Sequence, residues 1–240
     1  EGSNLEGDRR PTLRQNLTNS DVAEYVNYPK DDRTRVEPAF SIGGPLKRDR
    51  VWFFAGYQPA MQRVRSGELP WMNIDALHRI ILDDLLKKFS ITNLTEAEKI
   101  HLNKVWHRLK PWPDSVSGLK RLKKKYIITT LSNGNVSLLT NMAKFGGLPW
   151  DCIISAELAR HYKPDPEAYQ MAALLLDLKT DQVLMVAAHK SDLVAAQKTG
   201  NRTAFITRPL EYGPDVKNDI SREKAFDIHA LDFNDLADQL

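Results

Sequence analysis

Hydrophobic positions change their rhythm twice along this chain. Up to residue 37, Pro, Gly, Asn, Asp and Arg dominate and apolar periodicity is nearly absent. Such a stretch has little surface to bury against its ordering entropy. Ala39-Phe40-Ser41-Ile42 and Val51-Trp52-Phe53-Phe54-Ala55 then flank the charged turn Lys47-Arg48-Asp49-Arg50, a pattern that predicts a β-hairpin. From about Tyr57 the period becomes helical. Leu77, Ile80, Ile81, Leu82, Leu85 and Leu86 recur on one side of a predicted helix over 74–89, with Asn73 as its N-cap. Thr95 and Glu98 have the spacing of a capping box. They open a second helix expected to run to about Arg108, where Pro111 and Pro113 stop it. The two helices read as an antiparallel pair.

From Ser115 onward helices and strands alternate. Helices are predicted over 115–124, 136–145, 167–176 and 192–199, with Gly146-Gly147 and Gly200 as stops. Strands are predicted over 126–131, 152–155, 183–187 and 203–206. That alternation indicates an α/β fold with a parallel sheet covered on both faces. The expected organisation is an irregular segment over 1–56, a helical cap over 57–114 and an α/β core over 115–240.

Composition narrows the function classes. The chain has 240 residues, 42% hydrophobic and 27% charged, as in an ordinary globular protein. A formal net charge of +3 gives no global case for nucleic acid or membrane partners. The basic run Lys120, Arg121, Lys123, Lys124 and Lys125 reads as a solvated helix face with Leu119 and Leu122 turned inward. The lone Cys152 allows no internal disulfide, reads as a buried inert thiol and fits a reducing, cytoplasmic setting. No apolar run reaches the ~18 residues of a membrane helix, and the N-terminus lacks a signal core. Trp71, Trp106 and Trp112 are expected to pack the cap against the core.

Ligands of wrapped parallel sheets sit beyond the carboxyl ends of the strands. Leu131-Ser132-Asn133-Gly134-Asn135 lies there, between a strand and a helix. Backbone N–H groups, the Ser132 hydroxyl and Asn133 suit a carboxylate or phosphate. A plain strand–helix turn accounts for the same residues. Lys163, in Tyr162-Lys163-Pro164-Asp165-Pro166, is either a cation that stabilises developing negative charge or a solvated loop lysine. Asp192, in Val186-Ala187-Ala188-His189-Lys190-Ser191-Asp192, is either a site carboxylate or a first-turn helix residue.

These three segments, in this order, resemble the haloacid dehalogenase superfamily, and within it the type II 2-haloacid dehalogenases. The resemblance implies a Rossmann-like core plus a helical cap. It implies that Lys163 and Asp192 are catalytic, with Asp192 orienting Lys163 and helping to activate water. Ser132, Asn133, Tyr169 and His189 would bind substrate. Tyr169 reads equally as packing, and His189, where many dehalogenases carry Asn, reads equally as a satisfied surface histidine. Superfamily phosphatases need a second acid near Asp192 to hold Mg²⁺; Ala187 to Ser191 offers none, which implies no metal and no cofactor. The implied reaction is hydrolysis of the carbon–halogen bond of short 2-haloalkanoic acids to 2-hydroxy acids through an aspartyl ester. The implied partner is a small-molecule 2-haloacid or related carboxylate, and relatives suggest a homodimer.

One family feature is missing. No Asp-x-Phe/Tyr-Gly-Thr loop is found; Asp8, Asp21, Asp31, Asp32 and Asp49 follow no apolar strand with Gly-Thr at the right offset. Residues 38–57 instead resemble a fragment of a TonB-dependent outer-membrane receptor. The most economical reading is a fusion of such a fragment to a dehalogenase lacking its first ~50 residues, and with them the first strand. Activity is expected to be impaired or absent. The alternatives are a non-catalytic small-anion-binding module and a phosphatase-like hydrolase of the same superfamily.

Overall fold

The structure, a computed structural model, describes residues 58–240 except Pro214, Asp215 and Lys217, with side chains from Met61 onward. Before residue 58 it describes the backbone of four strands. Asp8, Asp21, Asp31, Asp32 and Asp49 lie outside the described residues. The chain divides into two units, Glu1–Glu37 and Pro38–Leu240. In the first, β1 (Thr12–Gln15) pairs antiparallel with β2 (Ala23–Val26), where the apolar pattern had given no element. Thr12, Leu13, Tyr25 and Val26 are strand formers too few to make a periodic signal. In the second, β3 (Ser41–Lys47) and β4 (Val51–Gly56) form the expected antiparallel hairpin, with a register shift between Pro45 and Lys47.

The helical region begins with α1 (Gln58–Arg65) and continues with α2 (Ile74–Lys88) and α3 (Glu96–Asn103). Asn73 caps α2 by accepting from Ala76 N–H, and Thr95 with Glu98 forms the complete capping box. The helix expected to reach Arg108 tightens at Lys104–Arg108 into a 3-10 turn. The buried face of α2 also departs from expectation: Leu77 is fully buried, but Ile80 is 41% exposed and His78 is buried. His78 stacks on Trp106 with ring centroids 4.7 Å apart. Burial, the largest influence, pushes its imidazole down to about 4, so it packs as a neutral ring.

The core then runs α4 (Ser115–Leu122), β5 (Thr129–Ser132), α5 (Val136–Gly146), β6 (Cys152–Ser155), α6 (Ala156–Ala159), α7 (Pro166–Leu175), β7 (Leu184–Ala187), α8 (Lys190–Gln197), β8 (Arg202–Ile206), β9 (Ile228–Ala230) and α9 (Phe233–Gln239). All strand pairing here is parallel, in two groups, β5–β6 and β7–β8–β9. Among the described residues β5 and β7 do not pair with one another, yet both groups share one layer. Ile128 packs with Ala204 and Ile206 beneath α4 and α9; Leu131 packs with Met185 and Phe205 beneath α7 and α8. A third cluster joins the helical region to the α/β region: Met61, Val64, Ile74 and Leu77 meet Leu138, Leu139, Ala156 and Tyr162, with Trp71 and Trp106 against them. Trp112 differs from expectation. It is exposed and lies under the Arg208 guanidinium, 5.2 Å from its ring centre. Cys152 is half-buried rather than buried.

Strand β5 starts later than its apolar run because Tyr126 and Ile127 are exposed and only Ile128 enters the core. Gly147, at φ +66, ends α5 in the left-handed conformation that a residue without Cβ adopts readily.

Candidate active site

Chain geometry puts the three candidate segments at one end of the parallel layer. Ser132 ends β5, Lys163 follows β6 and α6, and Asp192 lies in the first turn of α8, just past β7. Their contacts form a connected chain. Asn133 grips the backbone of Lys163 at two points: Lys163 N–H donates to its Oδ1 at 2.7 Å, and its Nδ2 donates to Lys163 O at 3.3 Å. Lys163 Nζ donates to Asp192 Oδ2 at 2.6 Å, and Tyr169 OH donates to Asp192 Oδ1 at 2.6 Å. Both carboxylate oxygens are therefore engaged. The Lys163 and Asp192 side chains keep 15% and 18% of their exposure, which strengthens the pair relative to a surface one.

Neighbouring residues hold this arrangement in place. Tyr169 is fully buried one turn into α7, whose first residue Pro166 presets the helical φ. Burial first, then the Asp192 charge, push its phenol far above the ordinary tyrosine range, so it is a donor at any ordinary pH. On either side of Lys163, Tyr162 OH donates to Met72 O at 2.5 Å and Asp165 receives Arg65 of α1 at 2.6 and 3.1 Å. The Lys163–Pro164 peptide is cis.

Ser132 and Asn133 also hold the loop's own structure. Among the described residues Ser132 Oγ accepts from Gly134 N–H at 3.1 Å, and Gly134 O accepts from Ser155 Oγ at 2.6 Å. The loop is thus a tight turn. His189 turns to Glu211, 2.8 Å from its Nε2. That hydrogen bond, the largest influence, raises its imidazole above the ordinary histidine range against the opposing effect of burial; Asp192 adds to the rise and Lys163 subtracts. A cavity of ≈ 250 Å³ lies beside His189, with Lys190, Phe205, Arg208 and Tyr212 also in its wall.

Sequence reasoning missed Arg65, Tyr162 and Glu211. Tyr162 belonged to the quoted Lys163 motif, whereas Arg65 and Glu211 carried no signal beyond being charged.

A family model described as haloacid dehalogenase-like hydrolase matches residues 14–200. The chain belongs to this family. Within these hydrolases it is similar to (S)-2-haloacid dehalogenase 1 of Pseudomonas sp. (strain CBS-3), with 35% identity over 137 residues, 55% of this chain and 60% of that protein. The chain spans little more than half the length of the curated haloacid dehalogenases it matches. Among solved structures, the L-2-haloacid dehalogenase PA0810 shares 47% identity at a TM-score of 0.73, covering 76% of this chain and 80% of that one. The defluorinating L-2-haloacid dehalogenase Rha0230 shares 48% at 0.74, covering 77% and 76%. The α/β fold of this haloacid dehalogenase-like hydrolase, with parallel strands and covering helices, agrees with these neighbours.

Proposed function

We propose that this chain is a 2-haloacid dehalogenase by descent whose hydrolysis of the carbon–halogen bond is impaired. The observation that carries the reading is the Lys163–Asp192–Tyr169 constellation, with Asn133 holding the lysine backbone. In an intact enzyme of this kind an aspartate oxygen attacks C2 of the 2-haloacid and halide leaves. Water then cleaves the resulting ester, giving a 2-hydroxy acid of inverted configuration and regenerating the carboxylate. In this chain Ser132 and the α5 N-terminus would receive the substrate carboxylate, Asn133 would fix the Lys163 backbone beside it, and His189 would border it. Lys163 would stabilise negative charge on the attacking group, and Asp192 would hold Lys163 and help to activate water.

What supports impairment is the lack of an Asp-x-Phe/Tyr-Gly-Thr loop, together with the absence, among the described residues, of a strand pairing between β5 and β7. We read residues 38–57 as receptor-like sequence and the cap and core as dehalogenase. The partners we assign are small 2-halo or 2-hydroxy acids, with neither nucleic acid nor membrane, in a cytoplasmic homodimer without metal. Among the described residues no helix is long and apolar enough to cross a membrane.

Halide release from (S)-2-chloropropionate tests the reading directly. The chain is expected to release halide no faster than buffer, yet to bind the acid in calorimetry. Release that Asp192→Asn abolishes overturns the impairment, and no binding at millimolar acid overturns the site.

A further inference from the structure

The cap touches the anion loop through a partly buried carboxylate paired with a buried imidazole, and among the described residues neither group contacts Lys163 or Asp192. Asp75 occupies the first turn of α2, where a carboxylate favours the positive helix end. Its carboxylate lies 3.0 and 3.1 Å from His107 Nε2, in the 3-10 turn of the cap, and accepts from Asn135 Nδ2 at 3.2 Å. Asn135 is the N-cap residue of α5 and the last residue of the loop that begins at Ser132. His107 Nδ1 in turn receives Asn141 Nδ2 of α5 at 2.9 Å. With that amide donating, the imidazole proton sits on Nε2 and points at Asp75.

A second carboxylate makes the reciprocal bridge. Glu157 of α6 accepts from Asn73 Nδ2 at 3.1 Å and from Val136 N–H at 2.7 Å. The N-termini of α2 and α5, both positive dipole ends, are therefore linked through two carboxylates, one supplied by the cap and one by the core. The contact is mostly shielded from solvent: the His107 side chain is 4% exposed and that of Asp75 19%. Asn135 gives both its bonds through Nδ2, to Asp75 and to Ser137, while its Oδ1 stays buried without a partner among the described residues. The amide is oriented by Asp75 at the cost of its own acceptor.

We propose that Asp75 and His107 are positioning residues through which the cap sets the geometry of the Ser132–Asn135 loop, and hence its affinity for small carboxylates. The affinity part rests on the anion-site reading above; the loop-setting part does not. The test pairs calorimetric titration of (S)-2-hydroxypropionate with hydrogen exchange of residues 133–137, using the full chain. Asp75→Ala is expected to weaken binding about tenfold, the size reached by residues sharing one hydrogen-bond network. His107→Gln, whose amide still donates to Asp75, is expected to retain binding. Leu236→Ala, in the separate cluster beneath α4 and α9, is the control for lost stability and is expected to leave affinity unchanged. Asp75→Ala and Leu236→Ala both keeping wild-type affinity overturns the proposal.

Where the unaltered chain binds no acid, the anion reading fails and exchange decides the loop-setting part. Faster exchange at Gly134 to Val136 in Asp75→Ala, but not in Leu236→Ala, supports it, and equal exchange overturns it. Should Asp75→Ala fail to fold, the same readouts on Asn135→Ala, which deletes the core half of the bridge, replace it.

Discussion

At the scale of single residues, the site is decided by what each polar atom already holds. Asp192 has given one oxygen to Lys163 and the other to Tyr169, so both are already engaged. The motif residues were legible because Ser132 ends a strand, Lys163 sits in a proline-bounded loop before α7, and Asp192 lies in the first helical turn past β7. The amide of Asn133 was expected to face an anion; it is spent instead on the Lys163 backbone. The Glu211 partner of His189 was illegible because it comes from a loop beyond the next strand.

That pair has a pH signature. The His189 imidazole is raised in the folded chain. Its stabilisation is therefore complete below the ordinary histidine value of about 6.5 and is lost as pH rises through the higher folded value. Urea midpoints measured across that window should fall more for the unaltered chain than for His189→Gln. Parallel falls in the two proteins would show that Glu211 does not hold the imidazolium.

At the scale of elements, the pattern located most helices and core strands but missed β9 and α9. Ile228–Ala230 is three residues long, and Phe233–Gln239 shows little apolar periodicity, so neither stands out locally. Both exist because of long-range contacts. Asp114 receives the Arg208 guanidinium at 3.0 and 2.8 Å and the N–H of Phe233 at 2.9 Å. Burial works to raise the Asp114 carboxyl, but these donors together hold it below the usual range.

Gly118 permits the packing of α4 on α9. A Cβ at that position would lie 2.4 to 2.6 Å from Phe233 Cβ and backbone atoms. Alanine gains about 1 kcal/mol in helix propensity over glycine. The clash is with a backbone that cannot rotate away, and overpacking of this kind costs roughly 1–3 kcal/mol. Gly118→Ala should therefore lower stability in denaturant unfolding, and a rise would mean that α9 can shift aside freely.

At the scale of the whole molecule, the alternation of helices and strands was enough to read a wrapped parallel layer. Pairing order was not readable from it, because alternation does not say which strands are neighbours. The observed order gives the strands unequal support. β8 is hydrogen-bonded on both sides, by β7 and β9, and Thr203 to Ile206 are buried. β5 is bonded to β6 alone among the described residues, and all four of its residues are half-exposed. Local opening free energy follows paired edges and buried contacts. Opening of β8 must break two ladders and expose the clusters on both faces, whereas opening of β5 breaks one.

Native-state hydrogen exchange should therefore find Thr203 to Ile206 among the slowest amides. Thr129 to Ser132 should open at least ~2 kcal/mol more easily, within the span between local and global opening. The difference matters for the site because Ser132 ends the weaker strand while Asp192 follows β7, which is anchored to the stronger group. Equal protection of β5 and β8 would show that the free edge of β5 is covered in solution. The two halves of the site would then rest on one continuous sheet.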